Sequence, residues 1–175
     1  MKKTAVALLV IVMILLSSVT ASAASDSAVT IVNPGSGSEV FGSTLLVSVK
    51  ITAPRTIKVA VYEQKEKVGD NLVSINPSKQ KDIKAENIRS VAVMDTETFV
   101  CPDNLRFYSK ELNNLTPGLY KITVNTVNST GAVTYSTNAL VAIRPADEAA
   151  SVTFDNQQGG ALQWIQNLFK SIFGN

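Results

Sequence analysis

The chain has 175 residues, with 16 Lys+Arg, 14 Asp+Glu, one Cys and no His, for a formal charge of +2. Without His there is no Ser-His-Asp or Cys-His nucleophile system and no His-ligated metal site. A single Cys allows no intrachain disulfide, so any folded part holds together by core burial, and this length suits one domain plus a tail.

Met1-Lys2-Lys3 is a short basic stretch, Ala5 to Leu16 is unbroken apolar sequence, and Ser17 to Thr20 is a polar break before Ala21-Ser22-Ala23. This order predicts a secretory signal peptide over residues 1–23, of bacterial type, cleaved near Ala23. The apolar run is shorter than the ~20 residues a bilayer span takes, which weighs against a retained membrane anchor. The only Cys, Cys101, lies far from the cleavage point, so lipoprotein processing is not indicated, and a small buried thiol is favoured over an interchain cross-link. Losing Lys2 and Lys3 takes the basic count from 16 to 14, equal to the 14 acidic residues, so the mature chain is neutral. Neutrality argues against nucleic acid as a partner and against long-range attraction to anionic lipid. It also leaves self-association unopposed by charge. The expected location is secreted, extracellular or associated with the cell surface.

Residues 24–145 read as strands. In TLLVSVKIT, Leu45, Val47, Val49 and Ile51 share one face. TIKVAVYE turns Ile57, Val59 and Val61 inward, GLYKITVNT does the same with Tyr120, Ile122 and Val124, and NALVAIRP with Ala139, Val141 and Ile143. Weaker candidates are Val29 to Val32, Ile88 to Met94, Thr98 to Cys101 and Leu105 to Tyr108. Period-two patterning over short runs, with turn residues between them and no helical pattern before residue 155, predicts an all-β fold without parallel βαβ units. Pro34 ends pairing after the first strand, Ala53-Pro54-Arg55 joins the next two, and Asn128 to Gly131 suits a hairpin loop. Residues 69–87 are polar and Lys-rich, and read as an insertion loop with a helical turn around Asp82 to Asn87.

Chemistry-bearing groups are sparse. Asp95 and Glu97 in MDTETF stand two apart, on one face of a strand, with Asp103 soon after. Paired carboxylates serve glycoside hydrolysis or Ca²⁺ binding, but the plainer reading is a polar loop edge. No Gly-rich loop leads from a strand into a helix, so phosphate-binding fingerprints fail. The expectation is no enzyme, no catalytic residue, no metal and no cofactor. Asn114-Leu115-Thr116 and Asn128-Ser129-Thr130 fit the N-glycosylation pattern, and a bacterial leader makes both chance matches.

LTPGLYKITV, Leu115 to Val124, resembles the stretch entering strand F of immunoglobulin-like and fibronectin III-like sandwiches. IVNPGSGSEVFGSTLLVSV, with Val40-Phe41-Gly42 before the second long strand, is similar to the opening of bacterial Ig-like surface modules. The likeness covers residues 28–145. It implies an Ig-like antiparallel β-sandwich of about seven to eight strands, with Tyr120 as a structural tyrosine corner bonded to backbone just upstream. An ordinary half-buried strand aromatic is the competing reading of Tyr120. With no Cys pair and no Trp in the sandwich portion, the chain departs from antibody-type domains.

Residues 146–160 form a polar linker ending in Gly159-Gly160, and residues 161–174 read as an amphipathic helix closed by Gly174. At 100° per residue, Leu162, Trp164, Ile165, Leu168, Phe169, Ile172 and Phe173 fall on one side, and Gln163, Gln166, Asn167, Lys170 and Ser171 on the other. So short a helix is marginal without support, and is too short to span a bilayer. Three surfaces compete to cover it: the chain's own sandwich, another protein chain or a second copy, and a membrane surface. Lone Lys170 is a poor match to the several cations usual on membrane-surface helices. The expected function is a secreted, non-enzymatic interaction or structural module with this helix as docking element. The alternative is a peripheral membrane-binding or membrane-active protein using the same helix.

Overall fold

A computed structural model describes residues 24–77 and 83–151, together with 167, 168 and 170. These residues contain nine strands: β1 Val29–Asn33, β2 Glu39–Phe41, β3 Leu45–Ile51, β4 Arg55–Val68, β5 Asn71–Ser74, β6 Ile88–Cys101, β7 Arg106–Leu112, β8 Gly118–Val127 and β9 Val133–Arg144. Short 3₁₀ turns occupy Ala85–Asn87 and Ala146–Ser151.

The strands form two sheets. Sheet A has the order β1-β3-β7, and sheet B the order β2-β9-β8-β4-β5, with β6 also paired to β4. Thr56 to Val59 bond to β8 along one edge and to β6 along the other, so β6 lies on the far side of β4 from β8. The expected inward sets meet between the sheets. Leu45, Val47, Val49 and Ile51 from sheet A face Ile57, Val59, Val61, Tyr120, Ile122 and Val124 from sheet B, with Ala139, Val141 and Ile143 beside them. Each such aliphatic side chain taken from water contributes about 1.5–3 kcal/mol, which is how a sandwich without disulfides holds together.

Three features differ from the sequence expectation. The sandwich is not wholly antiparallel, because β2 runs parallel to β9, with Val40 opposite Ile143. Pro34 lacks the N–H that would continue the β1–β3 ladder, and the chain passes from sheet A to the edge of sheet B. Second, β6 is one strand of 14 residues, where two pieces separated by a polar edge were expected. Val59 faces Glu97 while Val61 faces Met94, so Asp95 and Thr96 together oppose Ala60. A bulge of this kind absorbs the polar residues without ending the strand. Third, within 69–87, Asn71–Ser74 pairs with the end of β4 in a hairpin turned at Gly69, whose φ of 61° suits a residue without Cβ. All four β5 residues are exposed, so no alternation marked them.

Sheet B is also covered on part of its outer side. Leu119 on β8 and Leu140 and Ala142 on β9 point away from the inter-sheet core, yet are fully buried in a second apolar cluster with Ile75 and Leu168. The 3₁₀ turn after β9 is anchored beside it, where Arg144 pairs with Glu39 at 3.1 Å and with Glu148 at 3.7 Å.

Candidate functional site

The β6–β7 corner carries the chain from sheet B to sheet A, and the chemistry-bearing residues picked out in the sequence fall around it. Glu97 on β6 accepts hydrogen bonds from the Tyr108 hydroxyl at 2.8 Å and the Lys110 ammonium at 2.5 Å, both on β7. Period two puts Tyr108 and Lys110 on the same side of β7. The Lys110 bond, then the Tyr108 bond, hold the Glu97 carboxyl below its usual range. Burial, reinforced by the Glu97 carboxylate, pushes the Tyr108 phenol far above its ordinary value. The Tyr108 ring also meets Phe99 edge-on, with centroids 5.8 Å apart. Glu97 is therefore ionised and already bonded to two donors, which suits a tie between sheets and not a proton donor.

The other acidic residues have separate places. Asp95 sits in the bulge and is exposed. Asp103, in the turn, accepts a bond from the Arg106 Nε at 2.8 Å. Among the described residues no three Asp, Glu or Cys side chains converge as a cation site would need. The sequence reading of Asp95 and Glu97 on one strand face needs regular alternation from one to the other, and the bulge at Asp95 and Thr96 breaks it. Cys101, the last residue of β6, is buried, and its thiol donates to the Asp103 carbonyl oxygen at 3.1 Å.

Beside Cys101 an open concavity of about 470 Å³ is lined in part by Arg55, Thr56, Thr126, Thr134 and Tyr135. Asp26 anchors this end. Its carboxylate accepts from the Ala28 N–H at 3.0 Å, Arg55 Nε at 3.0 Å and the Thr126 hydroxyl at 3.1 Å. Burial raises the Asp26 pKa, but these bonds outweigh it and the net shift is downward. Nothing in the sequence links Asp26 to Thr126, a hundred residues away.

Around the corner, apolar side chains face solvent. Val100 is 63% exposed, Leu105 57% and Phe107 54%. Among the described residues β6 pairs with β4 alone, so its other edge presents unpaired backbone beside these side chains. The exposed trio passed unnoticed in the sequence, because alternation does not tell which face of an edge strand stays wet.

Two further sequence-read positions lie away from the corner. Tyr120 is buried, and its hydroxyl donates to the Thr116 carbonyl oxygen at 2.7 Å. Of the apolar helix face, Leu168 is buried in the outer cluster of sheet B. Leu162, Trp164, Ile165, Phe169, Ile172 and Phe173 lie outside the described residues.

No family model matches the sequence, and no curated protein matches it. Among solved structures, the chain is similar to the class 5 fimbriae chaperone CfaA, with 13% identity and a TM-score of 0.39 over 66% of this chain and 55% of that one. It is also similar to the CARDB domain of a Pyrococcus furiosus protein, with 11% identity and a TM-score of 0.33 over 66% and 87% of the two chains. A Niemann-Pick type C2 protein from Japanese carpenter ant gives 12% identity and a TM-score of 0.33 over 70% and 93%. At these identities and TM-scores the likeness carries no argument about what this chain binds or does.

Proposed function

We propose that the protein is a secreted, non-enzymatic interaction module of the immunoglobulin-like type, contacting another protein chain through the β6 edge and the β6–β7 turn. The observation that carries this reading is the pairing of β6 with β4 alone among the described residues, next to exposed Val100, Leu105 and Phe107. An unpaired strand edge offers main-chain hydrogen bonds, and flanking apolar side chains add contact area. The bulges near Asp95 divide the edge into two short stretches, which limits unregulated sheet extension. A non-enzymatic role is supported by the commitments of Glu97, Asp103 and Cys101, each bonded within the corner. Secretion is supported by the leader-like order of residues 1–23. Tyr120, bonded to Thr116 four residues upstream, serves as a tyrosine corner in this reading.

The C-terminal helix is a docking element of a different kind, one whose apolar face meets protein. A membrane-bound alternative would leave its apolar face free for lipid, and the burial of Leu168 in the chain's own second cluster favours protein contact. No described helix is long and apolar enough to cross a membrane.

A second copy is the first partner to test, since the mature chain carries no net charge to keep copies apart. Sedimentation velocity over rising concentration should show reversible association. Val100→Lys with Phe107→Lys should weaken it severalfold, because both side chains are exposed and outside the core. Association unchanged by this pair would remove the corner from the contact.

A further inference from the structure

The outer side of sheet B holds a feature that the sandwich alone does not account for. Leu119, Leu140 and Ala142 face away from the inter-sheet core and are nevertheless fully buried. Gln64 lies directly opposite Leu119 on the same face. It is 1% exposed, and its amide nitrogen is buried without a hydrogen-bond partner. A largely antiparallel sheet commonly keeps one face wet, and a buried, unpartnered donor is uncommon. This face is therefore shaped for a covering layer.

Three described tail residues identify the cover. Asn167, Leu168 and Lys170 have helical backbone; Asn167 and Lys170 are exposed, and Leu168 is 7% exposed against Ile75, Leu119, Leu140 and Ala142. That alternation fixes which side of the helix meets the sheet. We infer that residues 161–173 form a third layer on the outer face of sheet B of their own chain, with Trp164, Ile165 and Ile172 packed on Leu168's side. At 100° per residue these three fall within about 60° of Leu168, whereas Leu162, Phe169 and Phe173 lie about 100–140° round and flank the contact. Asn167 and Lys170 fall on the opposite flank, as their exposure requires.

The same chain can supply this layer. Strand β9 ends at Arg144, two residues beyond Ala142, which belongs to the same buried cluster as Leu168. The stretch from residue 152 to residue 166 reaches far more than the width of a few strands, at about 3.3 Å per extended residue. The Arg144 ion pairs with Glu39 and Glu148 start the return at that edge.

The inference rests on the docking role proposed for the tail, names the chain's own sheet B as the surface it docks on, and does not depend on the β6 contact. Trp164 is the only Trp, so its fluorescence reports on this segment alone. In the processed chain at low concentration, emission should lie well to the blue of the denatured chain, with severalfold weaker acrylamide quenching. Leu168→Asp should return both readings close to denatured values while the far-ultraviolet strand signal is kept, and Lys170→Gln should change neither. A wet Trp164 in the dilute monomer overturns the inference, and the added conditions then separate the causes. Drying on concentration assigns the face to a second copy, and drying on neutral phosphatidylcholine vesicles assigns it to a lipid surface. Either of these keeps a docking tail, whereas a Trp164 wet under all conditions removes the docking role as well.

Discussion

The Tyr108 hydroxyl on sheet A donates to the Glu97 carboxylate on sheet B at 2.8 Å, so one hydrogen bond ties the two layers beside the turn that connects them. The same carboxylate takes the Lys110 ammonium, which keeps it charged and fixes the corner on which the open β6 edge rests.

This tie sets a titration. Burial is the larger cause of the raised Tyr108 value, and the Glu97 charge adds to it. Glu97→Gln removes only the second cause. Spectrophotometric titration should show one tyrosine ionising at lower pH than in the parent, yet still above the ordinary phenol value of about 10. An unchanged titration curve would mean that the carboxylate does not act on the phenol.

Asp26 sets an acid limit. Its folded pKa is lowered, so the unfolded chain takes up a proton at higher pH than the folded one. Its contribution is thus complete above the usual Asp value of about 3.9, and is lost as pH falls through the lower folded value. Asp26→Ala should cost about 1–3 kcal/mol near neutrality, by stranding the Ala28 N–H and the Thr126 hydroxyl. Urea unfolding at stepped pH should show the parent losing stability on acidification more steeply than the variant.

Tyr120→Phe keeps the ring in the core and deletes the bond to the Thr116 carbonyl oxygen, together with the 3.3 Å contact to the Thr116 hydroxyl. The expected cost is about 1 kcal/mol, read as a lower urea midpoint with an unchanged slope.

Ile122→Ala removes a fully buried side chain from the centre of β8, where sheet neighbours on both sides limit collapse. A loss of about 2–5 kcal/mol is expected in the same experiment. A loss well under 1 kcal/mol would contradict tight packing between the sheets.

What the sequence made legible follows from periodicity. Leu45 to Ile51 and Tyr120 to Val124 alternate cleanly because one face of each strand packs on the core and the other does not. Leu140 and Ala142 escaped this reading, because a strand buried on both faces shows no alternation and the second cover comes from distant sequence. The bulge in β6 was hidden for a related reason. Asp95 to Glu97 look like a loop until Ala60 is seen to oppose two residues at once. Among candidate site residues, Glu97 was visible as a carboxylate, but its partners Tyr108 and Lys110 depend on a crossing between sheets that local pattern does not encode. The parallel β2–β9 pair is likewise a matter of topology, set by where the chain goes after Pro34.

Hydrogen exchange along β6, compared with β8, tests the open edge most directly. β8 is bonded on both sides, by β4 and β9, whereas β6 is bonded by β4 alone among the described residues. In dilute solution the account expects alternate β6 amides to exchange fast while β8 stays protected, and those β6 amides to slow as concentration brings copies together. Uniform protection of β6 at the level of β8 in the dilute monomer, with no change on concentration, would contradict it.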